Sequence, residues 1–137
     1  MVDRINRSFE SQTMMKTIGA RIHNIEKGSV SIEAPILPST LQQQGYGHAG
    51  LTFSIGDSAA GYSALTLLPE DQEVMTAEIK INLLAPAEGE LLLAEGKVVK
   101  SGKRFIVVTS EINALNNGQT KLIAIIQGTM VTVRMKS

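Results

Sequence analysis

One run of about 21 residues, from His48 to Leu68, constrains the fold more than any other part of the chain. It reads HAGLTFSIGDSAAGYSALTLL, which is apolar on almost every side and built mostly from glycine, alanine and serine. As a helix it would span about 31 Å at about 1.5 Å per residue. A helix that is apolar all round is buried, and internal glycines, at about 1 kcal/mol each relative to alanine, are tolerated where another element packs close to the backbone. The run therefore predicts a central helix enclosed by other elements.

The rest of the chain predicts one short helix and six strands. Residues 3–18 place apolar side chains at helical spacing, and Gly19 is suited to closing an amphipathic N-terminal helix. A hairpin is expected at 21–26 and 30–36, and four further strands at 73–85, 89–100, 104–115 and 121–136. Because the last three strands carry apolar residues on both faces, we expect one face on the helix and part of the other against a second subunit.

This order of elements predicts an α+β fold in which one curved antiparallel sheet wraps one long central helix. The strand and helix counts fit the hotdog fold, with the short helix at the N-terminus. With 137 residues, the chain is expected to form a single domain over 1–137.

Charge and composition exclude several classes of function. Thirteen Lys and Arg balance thirteen Asp and Glu, so no net field attracts nucleic acid or an anionic membrane. The absence of cysteine, with only two histidines, argues against disulfides, thiolate nucleophiles and a metal site. The N-terminal sequence lacks the apolar segment of a secretory signal, and no run reaches the length of a membrane span. We therefore expect a soluble cytoplasmic protein that binds neither nucleic acid nor membrane.

Asp57 is the anomaly of the central helix, because a carboxylate stands there among apolar and small side chains. A buried and unpaired carboxylate is costly, so Asp57 must be paired, protonated or at the wall of a cavity. Two interpretations remain open at this point. The carboxylate either carries chemistry or makes a structural bond to a neighbouring loop.

The start of the same helix forms a second candidate site, where Gly45, Gly47 and Gly50 surround His48. Glycines at a helix N-terminus let a ligand approach backbone N–H groups, which together with the helix dipole stabilise negative charge. Such a site suits a developing oxyanion. The alternative is an entry loop with a capping histidine.

His48 and Asp57 are nine positions apart. In a helix this puts them half a turn out of phase and about 13.5 Å apart along the axis, so within one chain they cannot serve the same bond. If they form an active site, Asp57 meets the helix start of another subunit, which gives two symmetric sites per dimer.

The stretch QQQGYGHAGLTFSIGDSAAGYSALT, followed by MTAEIKINLLAPAEGE, resembles the PaaI-type acyl-CoA thioesterases of the hotdog superfamily. The resemblance covers residues 14–134, and its most specific part is HAG with an aspartate seven residues after the glycine, joined to KINLLAPA. It implies hydrolysis of an acyl-CoA to a carboxylic acid and CoA by a homo-oligomer, a dimer or a dimer of dimers. It implies no cofactor, because CoA is part of the substrate.

The resemblance also assigns roles at the helix. Asp57 matches the catalytic carboxylate, which acts as general base or as nucleophile, and His48 matches the histidine near the thioester. Ala49 takes the place of the first glycine of a His-Gly-Gly motif, so its backbone N–H would bind the oxyanion together with that of Gly50.

Two further positions match the family pattern less closely. Gln42 stands where the family has asparagine, and its extra methylene changes the reach of the amide. Thr76 matches a hydroxyl that in some members places the attacking water, and an ordinary strand threonine is the alternative.

For CoA, the resemblance implies a groove between subunits. The candidate contacts form a basic turn made of Lys100, Ser101, Gly102, Lys103 and Arg104. Cationic side chains suit phosphates, although a solvated turn that guards a strand end has the same composition.

The departures at Gln42 and Ala49 keep a second hypothesis open, a non-catalytic hotdog protein that binds acyl-CoA. A hotdog hydratase or dehydratase is disfavoured, because such enzymes pair Asp and His on a loop pattern that this sequence lacks.

Overall fold

The computed structural model describes residues 1–135, and within them the chain forms a six-stranded sheet and three α-helices. A single 3-10 turn, Pro38–Thr40, precedes the longest helix. The elements in chain order are α1 (Val2–Glu10), α2 (Thr13–Thr17), β1 (Arg21–Glu26), β2 (Ser29–Pro35), α3 (Ala49–Leu65), β3 (Gln72–Leu83), β4 (Leu91–Ser101), β5 (Phe105–Asn116) and β6 (Gln119–Arg134).

The sheet has the strand order β1-β2-β4-β5-β6-β3, and every neighbouring pair is antiparallel. Helix α3 connects β2 to β3, which lie near opposite sides of the sheet, and it contacts β2, β3, β4, β5 and β6 on the way. One sheet wraps one buried helix, and the hotdog fold expected from the sequence is confirmed.

The small side chains of α3 are explained by how closely the sheet approaches the helix backbone. A Cβ atom built on Gly96 of β4 would lie 2.3 Å from the carbonyl oxygen of Ala59. A Cβ on Gly56 would lie 2.5 Å from Cδ1 of Ile126. The buried Ser110 hydroxyl donates a 2.8 Å hydrogen bond to the Gly56 carbonyl, which fastens β5 to the helix. Larger residues at either glycine would push the helix off the sheet.

Helix α3 is shorter than the sequence suggested, with 17 residues and His48 at its N-cap. The helix predicted over 48–68 ends at Leu65, with Thr66 as its C-cap and the Thr66 hydroxyl donating to the Ser63 carbonyl. Within residues 1–135, no helix has both the length and the apolar character needed to cross a membrane.

The N-terminal helix expected over 3–18 is present but interrupted. Gln12 is extended, with φ −83° and ψ 99°, and separates α1 from α2. Its side-chain amide donates to the Tyr62 hydroxyl at 2.6 Å, a contact that a continuous helix would have to break. Gly19 ends this region with φ +71°, as its type suggested. Strand ends agree within a few residues, and the predicted end of the last strand at Lys136 lies outside the described residues.

The two edges of the sheet are unlike. Strand β1 is an edge of only six residues, and a bulge interrupts it, as another interrupts β3 between Thr76 and Glu78. Strand β3 is an edge of 12 residues, and it leaves Met75 61% and Leu83 56% exposed. A long edge with unpaired backbone groups and exposed apolar side chains is a template for pairing with another chain.

Candidate active site

Asp57 lies on the wall of a cavity of about 220 Å³ between α3, β3 and the N-terminal helix. The Thr76 hydroxyl on β3 donates a 2.8 Å hydrogen bond to Oδ1 of Asp57. Among residues 1–135, Oδ2 has no hydrogen-bond partner. Burial raises the pKa of Asp57, and the hydrogen bond from Thr76 offsets part of that rise. Asp57 is thus a carboxylate held by one oxygen, with the other free and more basic than usual.

Asp57→Asn is expected to raise the melting temperature near pH 7 relative to the wild type, and to raise it less near pH 3.5. Because the pKa of Asp57 is higher in the folded chain, the unfolded chain ionises first as pH rises. Stability is therefore lost between the ordinary aspartate range and the raised pKa, whereas asparagine carries no charge and still accepts from Thr76. Thermal unfolding of both proteins at the two pH values measures this. A lower melting temperature of the variant near pH 7 would mean that the carboxylate stabilises the fold, as the structural interpretation of Asp57 requires.

The start of α3 is organised by His48. Its backbone is extended, with φ −63° and ψ 143°, and its Nδ1 accepts a 2.7 Å hydrogen bond from the Gly50 N–H. The neutral ring therefore carries its proton on Nε2. The side chain does act as a cap, and the Gly50 amide is occupied by it. Within residues 1–135, the Ala49 N–H has no acceptor, so it is the free donor at the positive end of the helix dipole.

A second cavity, of about 340 Å³, lies at this helix start and is lined by Gln42, His48, Ala49 and Leu83 among others. The Gln42 side chain is bound to its own loop. Its Oε1 accepts from the backbone N–H groups of Gln44 and Tyr46, and its Nε2 donates to the Gln44 side chain at 3.3 Å. The side-chain amide of Gln42 thus holds the conformation of its own loop.

The structure brings the predicted residues together in two groups. Asp57 and Thr76 form one, and His48, Ala49 and Gln42 form the other, with Gly50 held by His48. The two cavities have no lining residue in common. In the sheet they lie toward opposite ends of β3, since Thr76 pairs with Met130 whereas Leu83 pairs with Ala124. As the nine-residue spacing predicted, His48 and Asp57 do not meet within one chain.

The basic turn, residues 100–104, connects β4 to β5 and lines neither cavity. The Gly102 N–H donates to the Phe105 carbonyl at 2.9 Å, and the Arg104 guanidinium lies 5.9 Å from the Phe105 ring centre. The register from Ile106 through Met130 to Thr76 puts the turn at the Asp57 end of the sheet. Within residues 1–135, no group of three or more histidine or carboxylate side chains is placed to hold a metal ion.

Sequence reasoning missed one wall of the Asp57 cavity. It is formed by Ser8 and Gln12 at the N-terminus, Tyr62 of α3 and Glu73 of β3. Tyr62 offered a signal, since it is the one large polar ring in a helix of small side chains.

Comparisons with known proteins identify relatives of this arrangement. Residues 44–121, more than half of the chain, match the family model described as the thioesterase superfamily. A Saccharolobus solfataricus protein with a provisional esterase name is 31% identical over 133 residues, which cover 97% of this chain and 86% of the relative. The 1,4-dihydroxy-2-naphthoyl-CoA hydrolase of Listeria monocytogenes is 29% identical over 66% of this chain and 73% of the relative.

Solved structures with a similar fold include a protein named as a thioesterase. A thioesterase family protein from Silicibacter pomeroyi superposes with a TM-score of 0.96 at 36% identity, covering 98% of both chains. A Bacillus halodurans protein solved with CoA has a TM-score of 0.81 at 25% identity, covering 98% of this chain and 89% of that one. The PaaI protein of Escherichia coli has a TM-score of 0.82 at 22% identity over 96% and 91%, a likeness of fold.

Proposed function

Because the chain belongs to the thioesterase superfamily, we propose that it hydrolyses an acyl-CoA to a carboxylic acid and CoA. The observation that carries the proposal is Asp57, a carboxylate of raised pKa on a cavity wall, held through one oxygen by Thr76. The name of the Listeria relative, a naphthoyl-CoA hydrolase, and the CoA in the Bacillus halodurans structure support a CoA thioester as substrate.

We place each active site between two copies of the chain. An antiparallel pairing of two β3 edges, with its two-fold axis between Ile79 and Lys80, brings Thr76 of one copy next to Leu83 of the other, within the shift caused by the bulge between Thr76 and Glu78. Thr76 bonds Asp57, and Leu83 lines the cavity of His48 and Ala49. Such a dimer joins the two groups that a single chain keeps apart, and it covers the open edge of the sheet.

In this site the Asp57 carboxylate has two routes to the thioester. As a base it takes a proton from water, whose oxygen adds to the thioester carbonyl carbon, while the partner's Ala49 N–H stabilises the oxyanion. Collapse breaks the carbon–sulfur bond, and the proton passes from Asp57 to the leaving sulfur. As a nucleophile Asp57 adds directly, expels CoA and forms an anhydride that water then hydrolyses.

We also retain the expected CoA contacts, oligomeric state, domain count and location in this proposal. CoA phosphates would contact the basic turn, which lies at the Asp57 end of the sheet, and no cofactor besides the substrate is invoked. A dimer of dimers, a single domain and a cytoplasmic location stay predictions.

Thiol release tests the proposal directly. The wild-type protein is expected to release free CoA from at least one class among short, medium, long and aryl acyl-CoAs, with saturation kinetics. Thiol appearance is followed with a chromogenic disulfide reagent, which the cysteine-free chain does not itself consume.

One observation favours a second candidate, a non-catalytic acyl-CoA-binding protein. Gln42 stands at the position of the family's asparagine, and its side-chain amide is hydrogen-bonded within its own loop. Saturable acyl-CoA binding with no thiol release across all classes would decide for that candidate and against hydrolysis.

A further inference from the structure

We infer that α1 closes the acyl pocket beside Asp57 and that this pocket selects acyl groups of modest size ending in an uncharged hydrogen-bonding group such as a hydroxyl. The inference deepens the proposed function and rests on it. It concerns side chains of the Asp57 cavity that the mechanism does not use.

The size and lining of the cavity limit the acyl group. Its volume of about 220 Å³ lies below the range of roughly 300–1,000 Å³ that is common for small-molecule pockets. Three apolar side chains, Leu65, Val74 and Met130, line part of it, and Cε of Met130 lies 3.9 Å from the Cβ position of Gly61. This part of the pocket suits a short hydrocarbon segment.

The lining of the same cavity also contains a hydrogen-bonded cluster of three side chains, Ser8, Gln12 and Tyr62. The Tyr62 hydroxyl accepts from Nε2 of Gln12 at 2.6 Å and lies 3.1 Å from the Ser8 hydroxyl oxygen. Since the Tyr62 oxygen accepts from Gln12, its own proton is available to Ser8. The Ser8 proton, the second Nε2 proton of Gln12 and the Gln12 Oε1 then remain as donors and acceptor for a bound group. A hydroxyl can accept from a donor and donate to the acceptor at once, whereas an alkyl terminus leaves all of them unpaired.

The cluster is held in place before any ligand binds. Arg4, whose side chain is 10% exposed, donates to the carbonyls of Leu68 at 3.0 Å, Pro69 at 3.1 Å and Gln72, which fixes α1 against the chain that follows α3. The Phe9 ring lies 6.2 Å from that of Tyr62. A wall fixed in this way selects among ligands without first being ordered by them.

Charge on the same wall disfavours an anionic acyl terminus. Two carboxylates, Asp57 and Glu73, line the cavity. The guanidinium of Arg4 lies 3.8 Å from Glu73 and is engaged by backbone carbonyls, so it offers little attraction to an added carboxylate. A neutral polar terminus meets no such repulsion.

The experiment compares three acyl-CoAs at each of several chain lengths: unsubstituted, ω-hydroxy and ω-carboxy. At the best length, the wild type is expected to show a kcat/KM about tenfold higher for the ω-hydroxy than for the unsubstituted acyl-CoA, and the lowest value for the ω-carboxy compound. Tyr62→Phe and Ser8→Ala should each bring the hydroxy preference to about twofold or less. Ser11→Ala, an exposed serine next to the same helix, should leave it unchanged, and Glu73→Gln should raise turnover of the ω-carboxy compound severalfold.

Equilibrium binding to Asp57→Asn distinguishes a failure of the pocket assignment from a failure of the proposed hydrolysis. That variant should bind the ω-hydroxy acyl-CoA more tightly than the unsubstituted one, and Asp57→Asn combined with Tyr62→Phe should lose the difference. Thiol release without a hydroxy preference overturns the pocket assignment and leaves the hydrolase standing. Absence of thiol release from every compound overturns the proposed function itself. A preference that survives both Tyr62→Phe and Ser8→Ala overturns the role of the cluster.

Discussion

Asp57→Asn is expected to lower kcat for acyl-CoA hydrolysis near pH 7 by about a thousandfold, with KM little changed. General acid–base catalysis contributes roughly 10²–10⁴ in rate, and asparagine can neither take a proton from water nor attack the thioester. The substitution is nearly isosteric and keeps an oxygen for the Thr76 hydrogen bond, so binding is retained. Thiol release with the best acyl-CoA measures the effect.

The control is Asp71→Asn, which removes a carboxylate that precedes β3 and lines neither cavity. It should retain wild-type turnover. In the wild type, kcat/KM should fall as pH drops through the raised pKa of Asp57, and the residual rate of Asp57→Asn should lack this limb. Undiminished thiol release by folded, oligomeric Asp57→Asn would exclude the carboxylate from the reaction. After a single turnover in ¹⁸O-water, label in the Asp57 carboxylate would establish the nucleophilic route, because water must then have attacked the Asp57 carbonyl of an anhydride.

Ala49→Pro is expected to lower kcat by about a hundredfold or more while leaving the fold intact. Removing one oxyanion donor costs roughly 10²–10³ in kcat, and proline has no backbone N–H. Ala49 is the first residue of α3, where proline is accepted, and the extended backbone of His48 is the conformation that a residue before proline adopts. Ala49→Gly restores the family's residue, keeps the N–H and should keep the activity.

Mixing the two inactive proteins tests where the site lies. In a dimer of Asp57→Asn with Ala49→Pro, one of the two active sites combines an intact Asp57 with an intact Ala49 N–H. After random exchange of subunits, activity should recover to about a quarter of the wild-type value, because half of the dimers carry one intact site of two. Absence of recovery, with exchange verified by mass spectrometry of tagged subunits, would put both groups within a single chain.

The sequence was sufficient for the features that depend on local pattern. Small side chains mark α3 because the helix backbone meets Gly96 of the sheet, and Asp57 stands out among them as a charge. Strand β2 could be assigned because its alternating side chains Val30 and Ile32 are fully buried.

Features that depend on distant contacts, or on the exact geometry of a loop, could not be predicted. The break at Gln12 follows from a hydrogen bond to Tyr62, 50 positions away. The placement of Ser8 on the wall of the Asp57 cavity depends on how α1 lies against α3. The role of Gln42 depends on a loop geometry in which its amide accepts from backbone N–H groups. None of these contacts produces a periodic pattern in the sequence from which it could be predicted.

The close packing of α3 against the sheet restricts which parts of the chain can accept larger side chains. Gly56 and Gly96 leave little space for a side chain, so a larger residue at either position forces the helix or its neighbours to shift. The Asp57 cavity is lined in part by Ser8 and Gln12, whose N-terminal segment is anchored by Arg4 and by the buried side chains of Ile5 and Phe9. Under the proposed function, substitutions at Ser8 and Gln12 would therefore change the acyl specificity without changing Asp57 or its helix.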